Sequence, residues 1–447
     1  MIERNAALNS RPRLTFIELA RFYGPLAASD ISVSAVHPIV MASLARNAEA
    51  TFDLAVYGSM FAILILLESP IVNVMHLANA LVVNTARYRT VRHYALLIVA
   101  CSSAVLIILA FTPMGALTLQ RWMGLAPDLA HQAASVLRLF LIWPLMLGWR
   151  RLCQGVIIRQ GRPAVVGWGT FSRAAVVAGA VSLMTTLRGG NTVHTASLIL
   201  IMAMAIETLV VSLSALRMLR AGVLSRAEAE EVPLTLGEVN RFYMPLMLMT
   251  VLLVTTRPVL IAGLARLPQP ETAIAAWSVV LSVTLLFSNH ARGFQHMAIA
   301  LADDRARYER IARFARLVGV VSTGALALIA ITPPGTWFLG RVMGIEGSLQ
   351  GIVRVGIFFT CLVPILRAIQ NSIRGVLVRV GATKTINLIA LSNVSILVVG
   401  AVLVAWLQLP GVLTTAALFG AAYLVEALVL RRTLQPKPLP VLSAYAP

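Results

Sequence analysis

The feature that most restricts how this chain can fold is an internal repeat displaced by 220 positions. Arg21-Phe22-Tyr23-Gly24-Pro25-Leu26 returns as Arg241-Phe242-Tyr243-Met244-Pro245-Leu246. The register then holds without a gap. His37-Pro38 falls on Arg257-Pro258, Ala45-Arg46 on Ala265-Arg266, His76 on His296, and Ala86-Arg87-Tyr88 on Ala306-Arg307-Tyr308. Further on, Thr112-Pro113, Met123-Gly124, Gly155-Val156 and Ser172 meet Thr332-Pro333, Met343-Gly344, Gly375-Val376 and Ser392. A period this long implies two similar lobes, not a solenoid of short units.

Each lobe is strongly apolar. At 58% hydrophobic and 12% charged over 447 residues, the chain has more apolar surface than a soluble domain could bury, so it reads as a polytopic membrane protein. Apolar runs place six spans in the first half, at 21–46, 53–83, 93–118, 130–152, 163–187 and 195–219. The second half places six more, at 241–266, 271–303, 312–340, 350–373, 384–407 and 411–431. The predicted fold is an all-α polytopic membrane protein of twelve transmembrane helices in two six-helix lobes related by a pseudo-two-fold axis along the membrane normal. The N-lobe is 1–220, the linker 221–240 and the C-lobe 241–447.

A net charge of +19 raises nucleic acid as a partner, but the arginines follow the loops instead. One side holds the tail with Arg4, Arg11 and Arg13, then Arg87-Arg89-Arg92, Arg159-Arg162, Arg217-Arg220-Arg226, Arg305-Arg307-Arg310, Arg379-Lys384 and the tail with Lys437. By the positive-inside rule this side is cytoplasmic, both termini included, in the cell (inner) membrane. The expected partners are the lipid bilayer and a small substrate, with no nucleic acid, and the chain is expected to be a monomer. Cys101, Cys153 and Cys361 form neither a disulfide framework nor a metal-ligand spacing, and no cofactor or cleaved signal peptide is expected.

Ionisable groups within spans cost roughly 2.5–3.5 kcal/mol on insertion scales and therefore face a cavity or a partner. Asp30, Ser34 and His37 share one helical face, and span 7 offers Thr250, Val254 and Arg257 there. A proline follows His37 and Arg257, which permits a bend. Span 2 aligns Ser69, Asn73 and His76 beside Glu68, and span 8 aligns Asn289, Arg292 and His296. Near the cytoplasmic ends of spans 4 and 10, Arg150, Arg151 and Gln154 match Gln370, Asn371 and Arg374, with Arg367 one turn earlier. Each set has a structural alternative: a packing kink for the prolines, interhelical core hydrogen bonds for the histidines, snorkelling for the span 4 and span 10 arginines. The candidate substrate-binding set is His37, Arg150, Arg151, Arg257, Asn289, Arg292, Arg367, Asn371 and Arg374. Asp30 and Glu68, whose repeat partners Thr250 and Ser288 are not acidic, are candidates for proton or cation coupling or for internal salt bridges. The cationic excess favours a polyanion, since the planar guanidinium fork suits phosphate and carboxylate oxygens.

The chain resembles the MATE-like MOP superfamily, and more specifically the progressive ankylosis (ANKH) family. The likeness rests on Arg21-Phe22 with Pro25-Leu26, on Arg257-Pro258, and on Gly375 to Thr385. It implies export of pyrophosphate, citrate and nucleotide triphosphates, with Arg257 as the carried-over residue. The alternatives are a MATE-like proton- or sodium-coupled multidrug exporter holding cations at Asp30 and Glu68, and a lipid-linked precursor flippase. An enzyme is not expected: no Gly-rich phosphate loop or His-Glu zinc motif occurs, and Asp303-Asp304 reads as a solvated loop charge. The two-lobe repeat also disfavours a passive receptor or channel.

Overall fold

The computed structural model describes residues 14–188, 192–221, 234–380 and 382–434. Most of the linker and both tails lie outside the described residues, with Arg4, Arg11, Arg13, Arg226 and Lys437; so does Gly381. Among the described residues eleven helices are long and apolar enough to cross a bilayer, and the bent pair Pro270–Leu286 with Asn289–Leu301 makes a twelfth. The first half comprises α1 (Phe16–Leu44), α2 (Ala50–Leu81), α3 (Thr85–Phe111), α4 (Pro127–Arg159), α5 (Ala164–Leu187) and α6 (Val193–Arg220). The second comprises α7 (Leu236–Leu264), α8 (the bent pair), α9 (Arg305–Ile331), α10 (Gly347–Arg379), α11 (Thr385–Trp406) and α12 (Gly411–Leu434). The protein is a multi-pass, all-helical membrane protein with no strand among the described residues.

Local chemistry sets the helix ends, and it does so twice. Thr15 and Glu18 form a capping box on α1, and Thr235 and Glu238 form its copy on α7. Asn84 caps α3 and Asp304 caps α9, each side chain accepting from a backbone N–H three residues on. Spans 3 and 9 begin earlier than the apolar runs suggest and stop sooner. Thr112 and Thr332 are extended and the prolines after them lack an N–H, so Pro113–Arg121 and Pro333–Trp337 are separate short helices. Inside α2, Pro70 frees the Leu66 carbonyl, which accepts instead from the Ser69 hydroxyl at 2.6 Å. The helix is interrupted three residues later, at Asn73. Span 8 bends by 40° at Phe287-Ser288.

The halves exchange their repeated hexamers. Tyr23 of α1 stacks on Phe294 of α8, centroids 4.4 Å apart, and meets Phe314 of α9 edge-on. Tyr243 of α7 meets Tyr94 of α3 edge-on and donates its hydroxyl to the Pro70 carbonyl. Leu14, Leu301, Tyr308 and Leu434 pack into one cluster, which puts the first and last described residues on one face of the molecule, here the terminal face.

The opposite face is closed along the pseudo-axis. Gly58 touches Ser278, its own repeat equivalent, so tightly that a Cβ at 58 would lie 1.9 Å from the serine oxygen. Just past the ends of α1 and α7, Arg46 donates to the Arg341 and Val342 carbonyls, both at 2.8 Å, and Arg266 reciprocally donates to the Trp122 carbonyl at 3.0 Å. Gly344, at φ +68°, supplies the left-handed turn on which Arg46 lies. On the terminal face the second halves of α2 and α8 separate, leaving His76, Arg292 and His296 exposed.

A Cβ at residue 344 would sit 2.8 Å from the Arg46 side chain. Gly344→Ala should cost at least about 1–2 kcal/mol from backbone strain alone. The check is the thermal unfolding midpoint in detergent; an unchanged midpoint contradicts this packing.

Candidate functional site: a cationic cavity between the halves

The break in α8 and the prolines in α1 and α7 aim polar groups into one cavity of about 210 Å³. Its lining includes Ser34, His37, Arg257, Ser282, Asn289 and Arg292 against apolar walls such as Phe61 and Trp277. Each half therefore contributes to the lining. His37 shares a hydrogen bond with the Tyr57 hydroxyl at 2.8 Å through Nδ1 and packs on Phe61 at 4.1 Å. Asn289 bridges: its amide donates to Ser34 at 2.8 Å, and its carbonyl accepts from Arg367 at 2.8 Å. Arg367 also lies 5.9 Å from the Tyr423 ring centroid. Arg292 pairs with Asp30 at 3.1 Å, its side chain 48% exposed towards the terminal face.

Arg257 differs from all of these. It lines the cavity on α7, half-buried, and among the described residues it has neither a hydrogen-bond acceptor nor a carboxylate within ion-pair distance. Arg367 likewise has no carboxylate partner among them. Around this cavity the guanidinium groups of Arg257, Arg292 and Arg367 outnumber two carboxylates, Asp30, paired with Arg292, and Glu68, within electrostatic reach of Arg257.

The other named residues sit elsewhere. α4 continues to Arg159, so Arg150 and Arg151 lie well inside a helix and not near its end, where snorkelling would operate. Arg150 pairs with the fully buried Glu207 of α6 at 2.5 Å, and Arg173 of α5 approaches the same carboxylate at 3.4 Å. In the second half Arg374 pairs with Glu426, which also accepts from Asn393 at 2.8 Å. Arg150 and Arg374 therefore belong to ion pairs within the two halves and do not line the central cavity. Asn371 bonds to the Arg367 carbonyl within its own helix, and Glu68 accepts from the Trp143 indole. Arg151 donates to Gln154 and to the Met75 sulfur. Asp303 is no solvated charge either: it pairs with Arg307 at 2.9 Å and Arg379 at 2.6 Å.

The 220-residue register does not pair Glu207 with Glu426, because the repeat slips by one residue after span 5. Arg173 and Asn393 still match at 220, whereas the two acids match at 219.

No family model and no curated protein sequence matches the chain. Solved structures do. The MATE multidrug transporter DinF-BH is similar with a TM-score of 0.66 at 15% identity, covering 94% of this chain and 95% of that one. An inward-facing multidrug resistance MATE family transporter of the MOP superfamily is similar with a TM-score of 0.64 at 13% identity, covering 98% and 97%. The lipid II flippase MurJ in an inward closed conformation gives 0.61 at 11%, covering 94% and 89%. The chain thus has the fold of MATE and MOP superfamily transporters.

Glu207→Ala would leave Arg150 and Arg173 buried without their direct ion-pair partner, at a cost of about 3–5 kcal/mol. The expected result is a lower unfolding midpoint and loss of monodisperse protein in size-exclusion chromatography. Wild-type behaviour would show that the cluster is solvated.

Proposed function

We propose that this chain is a monomeric alternating-access transporter that exports small polyanions of the pyrophosphate, citrate or nucleotide triphosphate class, akin to the ANKH family. The lobes are 1–220 and 241–447. The observation that carries this reading is Arg257: a guanidinium with no ion-pair partner among the described residues, facing a cavity of a membrane protein. Arg292 and Arg367 flank it, and both can turn bidentate forks towards phosphate or carboxylate oxygens. Asp30 now holds Arg292, so an arriving anion displaces one carboxylate from one guanidinium.

With the terminal face taken as cytoplasmic, the open cleft loads from the cytoplasm while the Arg46 and Arg266 contacts seal the outside. Rocking the lobes breaks those contacts and exposes the cavity outward. Each negative charge leaving gains about 2.3 kcal/mol per 100 mV, so uniport suffices and neither Asp30 nor Glu68 has to couple an ion.

A second reading, a multidrug or lipid-linked precursor exporter, draws support from the similar MATE and MurJ structures and from the Phe61 and Trp277 walls. Asp30 would then hold the cation. The two separate in one assay: proteoliposome flux of labelled pyrophosphate, citrate and a cationic dye. Anion flux that falls at least about tenfold in Arg257→Ala, with no dye flux, is expected. Dye flux abolished by Asp30→Asn, with neither anion carried, would overturn the proposal.

A further inference from the structure

A second basic recess, which shares no lining residue with the central cavity, lies between α9, α10 and α12. Its volume is about 460 Å³, and Arg305, Tyr308, Arg316 and Arg431 line it over apolar walls that include Leu424 and Leu428. We propose that this groove is a binding site for an anionic phospholipid. Arg316 and Arg431 take the phosphate, and the leucine walls take an acyl chain.

Both parts of such a ligand have a counterpart. Arg316 spends only its Nε, on the Ala312 carbonyl at 3.2 Å, and its terminal nitrogens have no partner among the described residues. Arg431 has no partner at all among them. Arg305 is offset by Glu309 at 3.2 Å, a highly exposed pair that contributes little. Two uncompensated cations remain. Arg305 opens α9 and Arg316 lies about 16 Å further along it, so the basic residues run from headgroup level into the upper acyl layer, where long side chains snorkel. Leu424 and Leu428, 44% and 51% exposed, continue the groove towards the bilayer. A free phosphate could use only the charged end, whereas an anionic lipid uses the charged end and the apolar walls together.

The repeat shows that the fold does not require these arginines. The first-half equivalents are Thr85 and Leu96, and Ser212 once the one-residue slip is counted. The groove is therefore a feature of one half only, and it faces lipid rather than the cargo pathway.

The test is native mass spectrometry of the full chain in detergent, titrated with phosphatidylglycerol, phosphatidylcholine or inorganic phosphate. One phosphatidylglycerol should bind preferentially. Because each interfacial basic residue contributes about fivefold, Arg316→Gln should lower that preference about fivefold and Arg316→Gln/Arg431→Gln about 25-fold. The control Arg89→Gln, on exposed α3, should leave it unchanged, and Arg316→Lys/Arg431→Lys should retain most of it. An undiminished preference in the Gln double variant, or displacement of the lipid by inorganic phosphate alone, overturns the assignment.

Discussion

Everything distinctive about this molecule depends on where its buried guanidinium groups find, or fail to find, counter-charges. An arginine inside a bilayer is tolerated only beside an acceptor or a water-filled space. Arg150, Arg173 and Arg374 take the first route, through Glu207 and Glu426. Arg257 takes the second. Glu426 offsets Arg374 and Glu207 shares its charge between Arg150 and Arg173, whereas Arg257 at the cavity between the halves has no ion-pair partner among the described residues.

The duplicated architecture makes that cavity possible. Each first helix carries a proline after its ionisable residue, and each crosses to pack its tyrosine into the other half. Contact between Gly58 and Ser278 brings equivalent residues together on the axis, while the far halves of α2 and α8 stand apart. One face is consequently closed by small residues and carbonyl-bound arginines, and the other is open and lined with polar groups. Interactions of this kind, a few hydrogen bonds and one tight glycine contact, can be remade at modest cost, which the proposed alternating access requires.

The helix count and the twofold plan were legible in the sequence, because a long repeat, in one register through span 5, and apolar runs are periodic signals. Span ends were less so. Thr112-Pro113 stops α3 through local backbone chemistry that hydropathy does not register, and α4 carries polar residues far beyond its apolar run. Within the candidate site, His37, Arg257, Asn289 and Arg292 share the cavity lining, and Arg367 stands behind Asn289. Arg150 and Arg374 could not be separated from them by spacing alone. Their partners lie on α6 and α12, at positions that only tertiary packing, or a correction for the one-residue slip, brings into register.

The most direct measurement is equilibrium binding of labelled pyrophosphate to the purified protein by scintillation proximity, with Arg257→Gln as comparison. A central anion site predicts saturable binding that citrate displaces and that weakens at least about tenfold in the variant. Absence of saturable binding, or equal affinity in both proteins, would contradict it.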